Sequence, residues 1–221
     1  MNTPHLETTR RGPMRSVPCR SAPSTSAKAW LGAAAVAVVG AVGAALASPA
    51  AAQVTQPYEG YLCCSMYMER DWIVELTFNA PGRKLVPAGT PVRFVRLRSW
   101  SIDVEIAGQR VGIFNDYSRD VDMDRFAARY VVRADPREAL RAVPPKIREA
   151  IFAGKVTRDM TREQVVMALG HPSTDYTPDT SKPLWHYWSD HDLEFQVFWT
   201  EDWRVAQLFG APEARARVWA E

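Results

Sequence analysis

Apolar and polar positions alternate in two regions of the chain and recur at helical spacing between them. Trp72, Val74, Leu76 and Phe78 alternate with Ile73, Glu75 and Thr77, the period of a half-buried strand. Asn79-Ala80-Pro81-Gly82 ends that run, and Pro87-Ala88-Gly89-Thr90-Pro91 marks a second turn. The run Val92–Leu97 follows. Ile102, Val104 and Ile106 then alternate with Asp103 and Glu105, Gly108 turns the chain, and Val111 and Ile113 return it, predicting a hairpin over 102–114. Past Asn115-Asp116 the period changes. Met123, Phe126, Ala127 and Tyr130 follow helical spacing behind a cap candidate at Asp122. Asp135-Pro136 is a cap followed by proline at the first helical position. Ile147, Ala150 and Ile151 predict a short helix ending at Gly154.

The clearest helix signal is Thr161-Arg162-Glu163-Gln164, a capping box whose threonine and glutamine each satisfy an amide of the first turn. Val165, Val166 and Leu169 form its apolar face. Gly170 ends it, and Pro172 prevents continuation. Three strand-like runs follow, 184–188, 193–199 and 203–208, joined by short polar turns. One face of such a meander needs cover, and the two preceding helices are available for it. The expected fold class is α+β: two C-terminal helices packed on a three-stranded antiparallel sheet, preceded by a small β-rich part and a helical connector. The expected divisions are 1–52, a signal peptide; 53–118, the β-rich part; 119–150, the connector; 151–210, the helix–sheet domain; and 211–221, a charged tail.

The 221 residues carry a net charge of +2. That excess is local. Residues 1–52 hold Arg10, Arg11, Arg15, Arg20 and Lys28 against Glu7 alone, whereas the remainder is slightly acidic. A basic opening, an apolar run over 29–47 and small residues at Ala50 and Ala52 are the parts of a secretory signal, with cleavage expected before Gln53. The alternative is an uncleaved anchor, since the run approaches bilayer length. Met1 and Met14 are the two candidate starts of translation. No cysteine directly follows the apolar run, so a lipid anchor is not expected. The expected location is the periplasm, with peripheral association at the outer membrane. An exported chain that is acidic beyond its leader has no evident nucleic-acid partner. Arg93, Arg96 and Arg98 are accordingly read as a solvated strand face.

The stretch Asp159-Met160-Thr161-x-x-Gln164-Val165-x-x-x-Leu169-Gly170-x-Pro172 resembles the BamE family of small outer-membrane assembly proteins, also called SmpA or OmlA. Its signature is Gly-Met-Thr-x-x-x-Val-x-x-x-Leu-Gly-x-Pro, followed by an aromatic Trp-x-Tyr strand and an apolar strand. Trp185-His186-Tyr187 and Phe195-Gln196-Val197 stand where those strands belong. The resemblance covers Ile151 to Leu208. Asp159 departs from it by replacing the glycine, and the absent lipobox departs from the lipoprotein habit of the family. The resemblance implies a structural role for Met160, Thr161, Gln164, Val165, Leu169, Gly170 and Pro172. It also implies envelope partners, including components of outer-membrane β-barrel assembly. A secreted β-lactamase inhibitor protein has a similar helix–sheet fold, so a secreted inhibitor or enzyme-binding module is the alternative. Upstream, Leu85-Val86-Pro87-Ala88-Gly89-Thr90-Pro91-Val92 resembles bacterial SH3-like modules.

The remaining candidates for chemistry are few. Cys63 and Cys64 are adjacent, which allows a redox pair in an oxidising compartment, although two buried thiols near a strand start are the favoured reading. Asp120, Asp122 and Asp124 suggest a calcium loop, but the sixth position is Arg125 and the twelfth Val131, so they are read as a helix N-terminus. His186, Asp190, His191 and Asp192 cluster at a hairpin end and are read as a polar turn. No nucleotide-binding loop, nucleophile elbow or zinc-protease motif occurs. No catalytic, cofactor-binding or metal residue is assigned, and a non-enzyme is expected. Trp185, Tyr187, Trp188, Phe198, Trp199 and Trp203 are dense for so short a region. They form the candidate interaction surface, because tryptophan and tyrosine are enriched in interface cores.

Overall fold

The computed structural model describes residues 56–221. The expected signal peptide, its cleavage site and the alternative anchor lie outside the described residues. Residues 56–221 fall within one compact unit. Among the described residues the fold is α+β, with a curled eight-stranded sheet, a three-stranded antiparallel sheet and four α-helices.

The large sheet contains β1 (Tyr58–Leu62), β2 (Met66–Glu69), β3 (Trp72–Val74), β4 (Lys84–Val86), β5 (Pro91–Leu97), β6 (Ser101–Ile106), β7 (Gln109–Phe114) and β8 (Val131–Val132), in the order β4-β2-β3-β7-β6-β5-β1-β8. The expected hairpin is β6–β7. Its two-residue turn, Ala107-Gly108, holds φ of 50° and 82°. Left-handed backbone at both turn positions matches the twist of the flanking strands. All pairings are antiparallel except β3 on β7, where Ile73 lies opposite Ile113. Ile73, Phe94, Ile102, Val104 and Ile113 are fully buried on one face of the sheet. They share a core with Phe126 and Tyr130 from α1 (Met123–Tyr130). Asp122 caps that helix as expected, accepting from the Arg125 amide at 2.9 Å.

Two expectations change here. The strand beginning at Trp72 stops at Val74, because Glu75 turns its carboxylate inward to accept from the amides of Asp116 (3.1 Å) and Tyr117 (2.6 Å). Residues 119–150 are also not purely a connector. Directly after α1, Val131–Val132 adds an edge strand beside β1. Gly60 permits that approach, since a Cβ there would lie 2.7 Å from the Val132 carbonyl oxygen. Asp135-Pro136 opens a 3-10 turn, Pro136–Leu140, rather than an α-helix.

The second core gathers α2 (Pro145–Phe152), α3 (Arg162–Leu169), β9 (Leu184–Asp190), β10 (Leu193–Trp199), β11 (Val205–Gly210) and α4 (Pro212–Val218). Its members include Ile151, Val165, Leu169, Phe195 and Val197. The sheet order is β11-β10-β9. Residues 211–221, expected to be a tail, contain α4, which buries Ala214 and Val218 completely. Pro212 begins that helix, where its missing amide hydrogen costs nothing.

Cross-connections join the two cores. The Ser65 amide donates to the Met167 carbonyl (2.9 Å), and its hydroxyl donates to the Ile151 carbonyl (2.9 Å). The Thr77 hydroxyl donates to the Leu169 carbonyl at 2.6 Å. Among the described residues, no helix is long and apolar enough to cross a membrane.

Candidate functional site

Helix α3 begins and ends as its sequence dictates. The Gln164 amide donates to Thr161 Oγ1 at 3.3 Å, and the Thr161 amide donates to Gln164 Oε1 at 2.8 Å, completing the capping box. Gly170 stops the helix with φ +86°, a conformation that favours glycine. Its carbonyl accepts from the Tyr187 hydroxyl at 3.2 Å, which ties the helix end to the three-stranded sheet. Asp159 has φ 65°. It therefore occupies left-handed backbone at the position where the resembled signature carries glycine. The Arg204 guanidinium donates to the Asp159 carbonyl at 3.2 Å and helps to hold that turn.

The structure divides the six aromatic candidates. Trp185, Tyr187 and Trp199 are 3%, 2% and 5% exposed, so they belong to the core beneath the helices and not to a surface. Trp185 and Trp199 meet edge to face at 4.7 Å, and Tyr187 stacks on Phe195. The alternation was legible in the sequence, but it could not show which face the helices cover. Trp188 points to the opposite face and is packed into the seam with Val74, Leu76, Phe78 and Tyr176. Trp203, in the β10–β11 turn, lies under the Arg162 guanidinium at 3.1 Å from the ring centroid. Phe198 is half-buried on the outer face, the face opposite Phe195, Val197 and Trp199. It meets Phe209 edge to face at 4.6 Å, and Phe209 is 43% exposed. Sequence reasoning missed Phe209, although its place directly after the third apolar run was the available signal.

Beside this phenylalanine pair, His186 Nδ1 contacts Glu194 Oε1 at 2.5 Å, and the Gln196 side-chain amide donates to the same oxygen at 3.1 Å. Burial opposes ionisation of Glu194, but these hydrogen bonds hold its carboxyl below the usual carboxylate range. The outer face thus carries an apolar spot beside a fixed polar network. His191 leaves His186 entirely and packs edge to face on Phe78 at 4.8 Å. Among the described residues, no group of three or more histidine, cysteine or acidic side chains could hold a metal ion. Asp120 accepts from the Thr174 hydroxyl, and Asp122 serves as the α1 cap.

Cys63 and Cys64 are joined by a disulfide, in place of the expected pair of thiols. Cys64 is fully buried in the large core, whereas Cys63 lines two shallow grooves shared with His171. One groove reaches Pro172 and Met167 at α3, and the other reaches Arg125 and Arg129 of α1. Burial, reinforced by the Arg129 charge, pushes His171 down to about 4, so its imidazole is neutral at pH 7.

No family profile matches the chain, and comparison with curated proteins and with solved structures likewise returns no match.

Proposed function

We propose that the chain is a non-enzymatic, exported envelope protein whose C-terminal half acts as a BamE-like protein-binding module, supporting outer-membrane protein assembly or envelope integrity. The observation that carries the protein-binding reading is the pair of half-buried Phe198 and exposed Phe209 on the outer face of the β9–β11 sheet, bordered by His186, Glu194 and Gln196. An apolar centre with a polar border is the anatomy of an interface core and its rim. The capping box at Thr161, the left-handed turn at Asp159 and the Gly170–Tyr187 link support the family resemblance.

In-cell photo-crosslinking tests this reading. A photoreactive phenylalanine at position 209 should capture a specific envelope protein, whereas the same group at Gln109, exposed at the start of β7, should not. Equal capture from both positions, or none from 209, would overturn it. Capture of a secreted enzyme that the purified protein then inhibits would replace it with the inhibitor reading.

A further inference from the structure

The large sheet carries a second feature on the face away from its core. A groove of about 780 Å³ runs across β3, β7, β6 and the β5–β6 turn. That size lies in the range of roughly 300–1,000 Å³ usual for small-ligand clefts. Asp103 and Ser101 lie on its floor, beside a Phe114 ring that lies across Gly112. Trp72 and Trp100 also line it.

Trp100 is 55% exposed, more than any other large apolar side chain among the described residues. Its backbone is nevertheless fixed. The Asn115 amide donates to the Trp100 carbonyl at 2.9 Å, and the Arg98 amide donates to the Ser101 carbonyl at 2.8 Å across the β5–β6 turn. An indole held open on a rigid turn loses little further freedom when a ligand stacks on it.

The polar groups of the groove are fixed as well. Asp103, 4% exposed, accepts from Arg96 Nε at 2.7 Å, from Arg98 Nε at 2.7 Å and from Arg98 Nη2 at 3.0 Å. Arg110 stands 3.9 Å from the same carboxylate. Asp116 pairs with Arg119 at 3.2 Å, and Asp71 also lines the groove. Carboxylates and guanidiniums are therefore interspersed, with no strong excess of either sign. A polyanion would meet Asp71 and Asp116, and a polycation would meet the arginines.

Such a surface suits a neutral ligand rich in hydroxyl groups. Hydroxyls can donate to the carboxylates and accept from the guanidiniums, while the C–H face of a sugar ring lies on the indole. We propose that this groove binds an uncharged stretch of oligosaccharide, with Trp100 as the stacking platform and the exposed Arg98 and Arg110 guanidiniums, anchored by buried Asp103, as the hydroxyl-binding groups. The site is separate from the Phe198–Phe209 face, and its failure would leave that reading untouched.

Tryptophan fluorescence of the full chain, titrated with chitotriose and with cellotriose, tests the proposal. A saturable change is expected with at least one of them. Trp100→Ala should weaken it about tenfold or more, the equivalent of about 1.4 kcal/mol, and Trp100→Phe should recover part of the loss. Because Trp100 is exposed, circular dichroism of both variants should match the parent. Three results would overturn the proposal: no saturable change with either sugar at millimolar concentrations, affinity unaltered by Trp100→Ala, or tighter binding of a sulfated oligosaccharide than of the neutral ones.

Discussion

Glu75 shows how one side chain can redirect a strand. It is 1% exposed, and burial pushes its carboxyl up to about 7 despite the two backbone amides that donate to it. The fold therefore favours the protonated form. The stability this confers is fully present below the ordinary value of 4.5 and is lost as pH rises through about 7. Urea unfolding at pH 5 and pH 8 should show stability falling by up to about 3 kcal/mol from this group. Glu75→Gln should flatten that dependence, and an unchanged slope would remove Glu75 as its cause. Thr161 offers a smaller test. Thr161→Ala removes the acceptor for the Gln164 amide and should cost about 1 kcal/mol in a thermal melt.

Among the elements, α3 and the β6–β7 hairpin were readable from the sequence because local chemistry defines them: a capping box and terminal glycine for one, strict alternation around Gly108 for the other. Strands β1, β2, β4 and β8 were not. They are two to five residues long, and β8 follows α1 with no intervening residue. Residues 75–78 alternate yet bury both parities, with Glu75 and Thr77 as enclosed as Leu76 and Phe78, so their period says strand where tertiary hydrogen bonds decide otherwise. Helix α4 was obscured by its arginines, since only Ala214 and Val218 turn inward. Truncation after Gly210 should cost about 2–3 kcal/mol for the lost burial of Val218 and its neighbours, read as a lower melting temperature. An unchanged melt would mean that α4 is not docked. The Cys63–Cys64 bridge, by contrast, spans one peptide unit and closes no long loop, so it should restrict the unfolded chain little. Reduction should leave the melting temperature nearly unchanged while exposing Cys63, and not Cys64, to rapid alkylation in the native protein. Equal labelling of both would contradict their unequal burial.

At the scale of the whole molecule, two cores are joined through Ser65, Thr77 and the chain near Gly170, leaving two outward sheet faces with different characters. The face over β3, β5, β6 and β7 presents paired charges around tryptophan. The face over β9–β11 presents two phenylalanines beside a histidine–carboxylate contact. Aromatic density after Pro183 was legible in the sequence, but most of those rings serve the interior, and the exposed partner of Phe198 comes from the last strand. The most direct measurement of the protein-binding account is co-purification from envelope extracts of the parent chain and of a Phe198→Glu, Phe209→Glu variant. The parent should retain a specific envelope protein, and the variant should lose it with an unaltered melting temperature. Recovery of the parent alone, or retention of the same protein by the variant, would contradict the account.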